Sequence, residues 1–210
     1  MSIERGTAAM LMRRREKLTQ GAEPIGWKIG FNVPEIQGKL GLDRPLAGYL
    51  STDSLIEDGA TWSLKEDAAV VVESEVGVEI GEDERSIAAL MPALELADPI
   101  DFELDVEQIL AGNIFHRAVA FGPRVETPEP GPGRILVNGK ERHALTADYT
   151  AHALDDMVRA VADRIAAAGE QLRPGERIIT GVLAPPHPAR PGDTVRLELD
   201  ALGGVELRFS

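Results

Sequence analysis

The sequence predicts an α+β fold in which a mixed, mainly antiparallel β-sandwich or roll carries flanking helices. Short runs rich in Val and Ile, typical of β-strands, recur along the chain. Residues 151–168 form the one long stretch with a helical stripe of apolar side chains. Strands and helices do not alternate regularly, which argues against a doubly wound parallel sheet. With 210 residues and no convincing interdomain linker, we expect a single domain over residues 1–210.

The N-terminal part is predicted to contain one helix and two strands. Residues 4–20 form a short helical segment in which charges fill the positions between apolar ones, and Gly21 and Pro24 end it. A strand follows at 25–32. The valine-rich run at 67–80 is predicted to be a second, longer strand.

Pro92 interrupts the middle of the chain. Because proline lacks the amide proton that interior helix and strand positions use, we expect a short helix at 86–91 to stop before it. A strand at 93–98 then follows. The segment 106–111 is short and ambiguous, whereas 117–121 is predicted to be a strand.

Turn residues divide the next part of the chain. The segment 126–133 (ETPEPGPG) contains three prolines and two glycines, so we expect a loop. The apolar run 135–137 leads into Asn138-Gly139, a strong signal for a type I′ hairpin.

One helix and three strands are predicted for the C-terminal part. The helix at 151–168 is followed by Gly169, which is well placed to cap it. A strand at 178–180 comes next. The alternating runs 194–199 and 205–209 predict a final hairpin.

The composition excludes several classes of protein. The chain has no cysteine, which excludes disulfide scaffolds, zinc ribbons, thiol nucleophiles and iron–sulfur sites. Its 22 basic and 35 acidic residues give a formal net charge of −13, which argues against binding to nucleic-acid phosphates. The N-terminus lacks the apolar core of a signal peptide, and the longest apolar runs are far shorter than a membrane span. We therefore expect a cytoplasmic protein with no nucleic-acid or membrane partner.

The strand around residues 71–80 gathers acidic side chains on one face. Side chains alternate between the two faces of a strand. The residues that share this face are Glu73, Glu75, Gly77 and Glu79. One interpretation is an antiparallel strand with a solvated face. The other is a site for a hard cation such as Mg²⁺ or Mn²⁺, because two carboxylates at i and i+2 are close enough to bind one ion that cancels their repulsion.

Two further charged residues stand in apolar surroundings. Glu95 lies in MPALELAD, where it is either at a surface edge or the third ligand of the cation site. Lys28 lies in the glycine-bracketed segment GWKIG at 26–30. It is either an edge-strand lysine that discourages aggregation or a cation beside an anionic substrate or a developing enolate.

Several short segments, in order along the chain, resemble those of a known family. They are GWKIG at 26–30, LGLDRP at 40–45, GYLSTD at 48–53, VESEV at 72–76, PALELAD at 92–98, and the segments 169–181, 191–193 and 202–210. This ordered set resembles the 2-oxopent-4-enoate hydratase and 4-oxalocrotonate decarboxylase group of the fumarylacetoacetate hydrolase superfamily. The resemblance covers about residues 5–210.

The resemblance implies the mixed β-roll of that superfamily, a single catalytic domain, and a metal site. By this resemblance Glu73, Glu75 and Glu95 hold one Mg²⁺ or Mn²⁺, which binds the carboxylate and the 2-oxo or enol oxygen of a 2-oxo acid. By the same resemblance, Lys28 and Asp53 lie beside the substrate, where they polarise it and transfer protons.

The resemblance also assigns substrate binding to Lys28, Asn113 and Thr180. The chain departs from the family around two of them. The family's A-D-N-A segment is A-G-N-I here, so that its Asp is replaced by Gly112, and Val182 follows the Thr-Gly pair where a small or polar residue is usual. These departures reshape the predicted pocket and leave the natural substrate open.

The predicted function is a divalent-metal-dependent lyase of aromatic catabolism. We expect it to hydrate or decarboxylate a small unsaturated 2-oxo acid through a metal-stabilised dienolate. We also expect it to form a homodimer or higher homo-oligomer. The alternatives are a C–C hydrolase of acylpyruvate or fumarylacetoacetate type, an oxaloacetate decarboxylase or tautomerase, and a non-catalytic partner subunit of an enzyme complex. Hydrolysis is the weaker alternative, because the hydrolase branch uses a His–Glu dyad upstream of the metal carboxylates. The histidines of this chain all lie downstream, at His116, His143, His152 and His187.

Overall fold

A computed structural model describes residues 2–65, 69–99, 105–126, 131–146 and 153–210. The helices are α1 Ser2–Thr19, α2 Pro34–Leu40, α3 Val106–Ala111 and α4 Leu154–Ala166, and a 3₁₀ turn spans Thr52–Ser54. The strands are β1 Pro24–Gly30, β2 Leu46–Ser51, β3 Thr61–Trp62, β4 Val71–Ile80, β5 Ile87–Ala97, β6 His116–Phe121, β7 Val125–Glu126, β8 Gly133–Val137, β9 Lys140–Leu145, β10 Arg177–Val182, β11 His187–Pro188, β12 Thr194–Leu199 and β13 Gly203–Phe209.

The strands form two mainly antiparallel sheets. The larger sheet has the order β2-β1-β10-β4-β5-β6, with β11 paired to β4 and β7 paired to β5. The smaller sheet has the order β3-β13-β12-β8-β9, and its strands β12 and β13 pack on β5. The pairs β1–β10 and β3–β13 are parallel, which makes the fold mixed. The predicted α+β class, a mixed β-sandwich roll with flanking helices, is therefore confirmed. The single domain over residues 1–210 stays a prediction.

The larger sheet curls until its two edges meet. A parallel bridge joins Leu55, just after β2, to Val119 in β6, and the amide of Ile56 donates to the carbonyl of Val119 at 3.0 Å. One face of this sheet therefore lines the inside of a narrow roll. Gly77 on that face leaves room for its cross-strand neighbour, because a Cβ at this position would lie 2.8 Å from the side chain of Met91, directly opposite in β5.

The other face of the larger sheet and the helix α4 enclose the main core. Valines of β4 point into this core and pack with apolar residues of β12 and β13. The helix α4 covers β1, β2 and β10. Its buried residues are Met157, Val158, Val161 and Ile165, three of which belong to the predicted stripe. The predicted start of this helix at 151–152 lies outside the described residues.

Two local predictions from turn chemistry agree with the structure. Asn138 and Gly139 have φ angles of 52° and 72°, as a type I′ turn requires, and they connect β8 to β9. Gly169 has a φ of 80° just beyond α4, where a residue with a side chain would be strained. Among the helices that the structure describes, we find no segment long and apolar enough to cross a membrane.

The prediction of a helix that stops before Pro92 is wrong. Residues 87–97 form one continuous strand, β5, which pairs with β4 along its length. The carbonyl of Pro92 accepts a bond from the amide of Gly122, so the ring nitrogen also faces that side, where pairing passes from β7 to β6. The proton that proline lacks is therefore not needed for pairing with β4.

Candidate metal centre

Strand register brings three glutamates together inside the roll. Glu73 of β4 lies directly opposite Glu95 of β5, and Glu75 is two residues further along β4 on the same face. Directly opposed side chains in an antiparallel pair have Cβ atoms about 5 Å apart. As a result, one carboxylate oxygen from each of the three residues lies within 4.8 Å of the others.

The burial of these residues contradicts a solvated strand face. Glu75 and Glu95 are fully buried, and Glu73 is partly exposed. The strand β4 is interior to the sheet, between β10 and β5. The surface-edge alternative for Glu95 is wrong for the same reason, because β5 lies between β4 and β6.

Each buried glutamate has one oxygen that is bonded and one that is not. Glu95 Oε1 accepts a short bond from Lys28 Nζ and lies 2.8 Å from His116 Nδ1. Glu75 Oε2 accepts a 2.6 Å bond from the amide of Gly181. Within the described part of the chain, Glu75 Oε1 and Glu95 Oε2 have no hydrogen-bond partner. Buried oxygens of this kind are costly unless they are protonated or bound to a cation.

The pKa values of the glutamates reflect this crowding. Burial and the neighbouring Glu95 raise the pKa of Glu73 to about 7. Burial, followed by repulsion from Glu95 and Glu73, also raises the pKa of Glu75 well above its usual value. Burial acts in the same direction on Glu95, but Lys28 and His116 outweigh it, so the pKa of Glu95 is lowered. A bound dication would replace the protons that the crowded pair otherwise retains.

Lys28 is a buried charged residue of the roll interior. Its side chain is 2% exposed, and Nζ also donates to the carbonyl of Ile114 at 3.1 Å. Burial lowers its pKa, but the attraction of Glu95, Glu73 and Glu75 is greater, so the pKa is raised and the ammonium is retained. The edge-strand alternative is wrong, since β1 lies between β2 and β10.

His116 and Ser54 are part of the site, although the sequence analysis gave them no role. His116 Nε2 lies 2.9 Å from Ser54 Oγ, while Nδ1 faces Glu95. Both residues are buried, and burial lowers the pKa of the imidazole. Ser54, Glu95 and His116 come from three distant segments, so no local sequence signal points to this chain of contacts. The imidazole fixes the direction of the Glu95 carboxylate.

A strained turn supports the site next to His116. Asn113, Ile114 and Phe115 have φ angles of 56°, 51° and 61°, which are unusual for residues with side chains and most of all for a β-branched one. The side chain of Asn113 holds the turn in place, because its Oδ1 accepts from the amide of Tyr49 at 2.8 Å and its Nδ2 donates to the carbonyl of Tyr49 at 2.9 Å. This conformation presents the carbonyl of Ile114 to Lys28.

A cavity of about 640 Å³ adjoins the carboxylates. Lys28 and Glu73 are the charged residues of its wall in the part of the chain that the structure describes. The rest of the wall is almost entirely apolar. It comes from the end of β1 and the start of α2, from the 114–115 turn, and from the 181–186 segment that follows β10. The geometry thus combines a cluster of carboxylate oxygens, the buried ammonium group of Lys28 and room for a small organic molecule.

Three residues assigned by resemblance do not reach this cavity. Asp53 pairs with Lys17 at 2.5 Å and accepts a 2.6 Å bond from Ser51. The hydroxyl of Thr180 donates to a main-chain carbonyl of β4, and Asn113 is committed to β2. None of the three belongs to the described wall of the cavity. Their predicted roles stay predictions.

The residues present fit a hard divalent cation. The cluster offers three carboxylates and no nitrogen or sulfur ligand, which is the donor set that Mg²⁺ and Mn²⁺ prefer. Two of its buried oxygens have no partner in the described residues. A positive ion placed among them would satisfy both oxygens and relieve the repulsion within the cluster.

The chain is similar in sequence to known proteins. A family model described as fumarylacetoacetate (FAA) hydrolase C-terminal matches residues 28–210. A 2-keto-4-pentenoate hydratase from Paraburkholderia xenovorans strain LB400 is 25% identical over an alignment 228 residues long, which covers 100% of this chain and 84% of that protein. A 4-oxalocrotonate decarboxylase from a Pseudomonas species is 26% identical over 206 residues, covering 90% of this chain and 80% of that protein.

Solved structures share the fold. The 4-oxalocrotonate decarboxylase from Pseudomonas putida G7, complexed with magnesium and adipate, superposes with a TM-score of 0.85 at 21% identity, over 96% of this chain and 83% of that chain. The fumarylpyruvate hydrolase from Pseudomonas aeruginosa, in complex with Mn²⁺ and pyruvate, gives a TM-score of 0.64 at 16% identity, over 89% of both chains.

Proposed function

Because the chain belongs to the fumarylacetoacetate hydrolase family, we propose that it is a divalent-metal-dependent lyase that acts on a small unsaturated 2-oxo acid. The relatives that span nearly the whole chain are named hydratases and decarboxylases. Hydration adds water across a carbon–carbon double bond of such an acid, and decarboxylation releases CO₂ from it. Both reactions place negative charge on the 2-oxo oxygen.

The observation that carries this proposal is the convergence of Glu73, Glu75 and Glu95 beside the cavity, whose wall includes Glu73. We propose that these three residues hold the cation. When bound, the ion supplies a Lewis acid that stabilises negative charge on the substrate. Solved structures of the fold are described in complex with magnesium, calcium or manganese, and we propose Mg²⁺ or Mn²⁺ here.

Lys28 is the residue of this chain that we propose to act on the substrate directly. Its ammonium is buried and lies in the wall of the cavity, so it can stabilise an enolate oxygen or hold a proton close to it. Water is largely excluded around Nζ, which strengthens this electrostatic effect. The role in proton transfer predicted for Asp53 is tested separately by Asp53→Asn, which should leave turnover unchanged if its bond to Lys17 is only structural.

Within the described residues, the histidine nearest the carboxylates does not support the hydrolase alternative. His116 is near the carboxylates, but both of its ring nitrogens are occupied, by Glu95 and by Ser54. His116 is also absent from the described wall of the cavity. Because this imidazole lies outside the described wall of the cavity, we propose that it positions the carboxylate of Glu95 and does not activate a water molecule.

The cellular setting follows from the same resemblance. We propose a cytoplasmic homodimer or higher homo-oligomer that acts in aromatic catabolism. A non-catalytic partner subunit is the competing proposal, and it predicts that the purified chain turns over no 2-oxo acid by itself.

The decisive experiment compares two glutamates of the same strand face. Glu75→Gln removes a buried carboxylate of the cluster, whereas Glu79→Gln changes a residue that pairs with Arg124 at the outer end of β4. Mn²⁺ binding is followed by electron paramagnetic resonance, and turnover is assayed on a panel of unsaturated 2-oxo acids with Mg²⁺. We expect Glu75→Gln to lose both metal binding and turnover while it remains folded, and Glu79→Gln to keep both. Turnover by the parent protein in metal-free buffer would contradict the proposal.

A further inference from the structure

The wall of the cavity distinguishes between two kinds of 2-oxo acid. The hydratase and decarboxylase relatives are named for different substrates: 2-keto-4-pentenoate carries one carboxylate, whereas 4-oxalocrotonate carries a second carboxylate at its far end. A site that buries the second kind must offer the distal carboxylate a cation or hydrogen-bond donors, because an unpaired buried charge is strongly unfavourable.

The described wall contains no free cation for a distal carboxylate. Lys28 is its only lysine or arginine in the described residues, and its ammonium bonds to Glu95 and Ile114 beside the glutamate cluster, where the proposed function uses it at the oxo-acid end. The residues away from the carboxylates are apolar. They include Phe31, Val33, Ile36, Phe115, Leu183 and Pro185.

The segments that the structure does not describe add no lysine or arginine either. The sequence at 66–68 is EDA, at 100–104 IDFEL, at 127–130 TPEP and at 147–152 ADYTAH. Their charged side chains are acidic apart from a single histidine.

We propose that the substrate is a 2-oxo monocarboxylic acid with an uncharged, apolar tail, and that dicarboxylic 2-oxo acids are rejected. This inference rests on the proposed function, because it assumes that the oxo-acid end binds at the glutamate cluster. A five-carbon oxo acid has eight non-hydrogen atoms and therefore occupies less than about 240 Å³, the volume of eight water molecules at about 30 Å³ each in the liquid. The cavity of about 640 Å³ therefore also accommodates longer hydrocarbon tails.

The test uses two unreactive acids of the same length. 2-Oxohexanoate ends in a methyl group, and 2-oxohexanedioate ends in a carboxylate in its place. Their dissociation constants are measured by calorimetry on the Mn²⁺-loaded protein at fixed ionic strength. We expect the monocarboxylic acid to bind at least about tenfold more tightly, because the distal carboxylate finds no partner.

A charge introduced into the wall provides the matched comparison. Ile36 is a partly buried wall residue on α2, so Ile36→Lys should narrow or reverse the preference for the monocarboxylic acid. Ile36→Gln controls for the loss of apolar surface and should leave the order of the two acids unchanged. Because both variants retain the glutamate cluster, Mn²⁺ binding serves as the check that each is folded.

The outcomes separate the two proposals. Equal affinities in the parent protein, or tighter binding of the dicarboxylic acid, would overturn the inference about the tail and leave the proposed function standing. Failure of the parent protein to bind Mn²⁺ or either acid would overturn both. The inference is supported if the parent protein binds the monocarboxylic acid more tightly and if Ile36→Lys, but not Ile36→Gln, reduces the difference in affinity between the two acids.

Discussion

Gly181 occupies the most constrained backbone position of the candidate metal centre. Its φ angle is +91°, which favours glycine, and its amide donates the 2.6 Å bond to Glu75 Oε2. A Cβ at this position would lie 2.7 Å from the Nδ2 atom of the buried Asn32 side chain. Gly181→Ala therefore introduces backbone strain and a steric clash, and both act on the bond to Glu75.

A second glycine separates the two effects. Gly192 has nearly the same φ angle, +88°, but a Cβ there would meet nothing within 4 Å. Backbone strain alone should therefore lower the free energy of unfolding of Gly192→Ala by about 1–2 kcal/mol. Gly181→Ala should lose a further 1–3 kcal/mol or so, the usual cost of overpacking a buried site. Its total loss is then about 2–5 kcal/mol.

Urea unfolding and Mn²⁺ titration measure the two consequences. We expect Gly181→Ala to bind Mn²⁺ about 10- to 100-fold more weakly, because a displaced amide no longer orients Glu75, whereas Gly192→Ala binds it normally. The double variant Gly181→Ala/Asn32→Ala removes the clashing side chain and should recover part of the stability. Equal stability losses in the two glycine variants would refute the steric argument. An unchanged affinity for Mn²⁺ in Gly181→Ala would refute the orienting role of the amide.

Three further perturbations test the surroundings of the carboxylates and one separate buried acid. His116→Gln removes the ring that holds Glu95 and should weaken Mn²⁺ binding about 10- to 100-fold. The control variant His143→Gln, on β9, should bind Mn²⁺ normally. Equal Mn²⁺ affinities in the two variants would exclude the positioning role of His116. Lys28→Met leaves the buried Glu95 carboxylate without its cation, so the protein should lose about 3–5 kcal/mol of stability in EDTA and regain part of it with Mg²⁺; a variant as stable as the parent in urea would argue against a charged pair. Burial raises the pKa of Glu176, so the folded protein holds this proton more tightly than the unfolded chain, and the corresponding stability is lost as the pH rises from about 4.3 through the raised value. Glu176→Gln should reduce this slope in urea unfolding measured against pH, to which Glu73 and Glu75 contribute in the same direction, and an unchanged slope would exclude a contribution from Glu176.

Patterns that act over a few residues predicted much of the fold. The Asn138-Gly139 turn is specified by two residues that tolerate positive φ angles, and the α4 stripe by the helical period. The wrong prediction at Pro92 arises because the outcome there depends on distant residues and not on local ones. Whether a missing amide proton matters in a strand depends on which neighbour that proton would face, and the neighbour comes from a distant part of the chain.

The residues of the candidate site likewise divide into those that local sequence patterns or the resemblance could predict and those that depend on the closed sheet. Glu73 and Glu75 could be paired from sequence because the period of a strand puts them on one face. Glu95 could be added through the family resemblance and the apolar residues around it. His116 and Ser54 could not, because their relation to Glu95 depends on how the larger sheet closes. The roles of Asp53 and Asn113 stay predictions from the resemblance, and in the structure their side chains bond to Lys17 and to the backbone of Tyr49.

The closure of the larger sheet also restricts which insertions and deletions the chain can accept. In an open sheet, a strand that loses one residue can slide past its neighbour, but β4 is paired on both sides within a closed roll. Loss of one residue between Glu73 and Gly77 would move the part of β4 beyond it to the opposite face, exchanging residues that face the apolar core with residues that face the inside of the roll. Length variation among related sequences should therefore concentrate in the connection at 81–86 between β4 and β5, while the spacing from Glu73 to Gly77 stays constant.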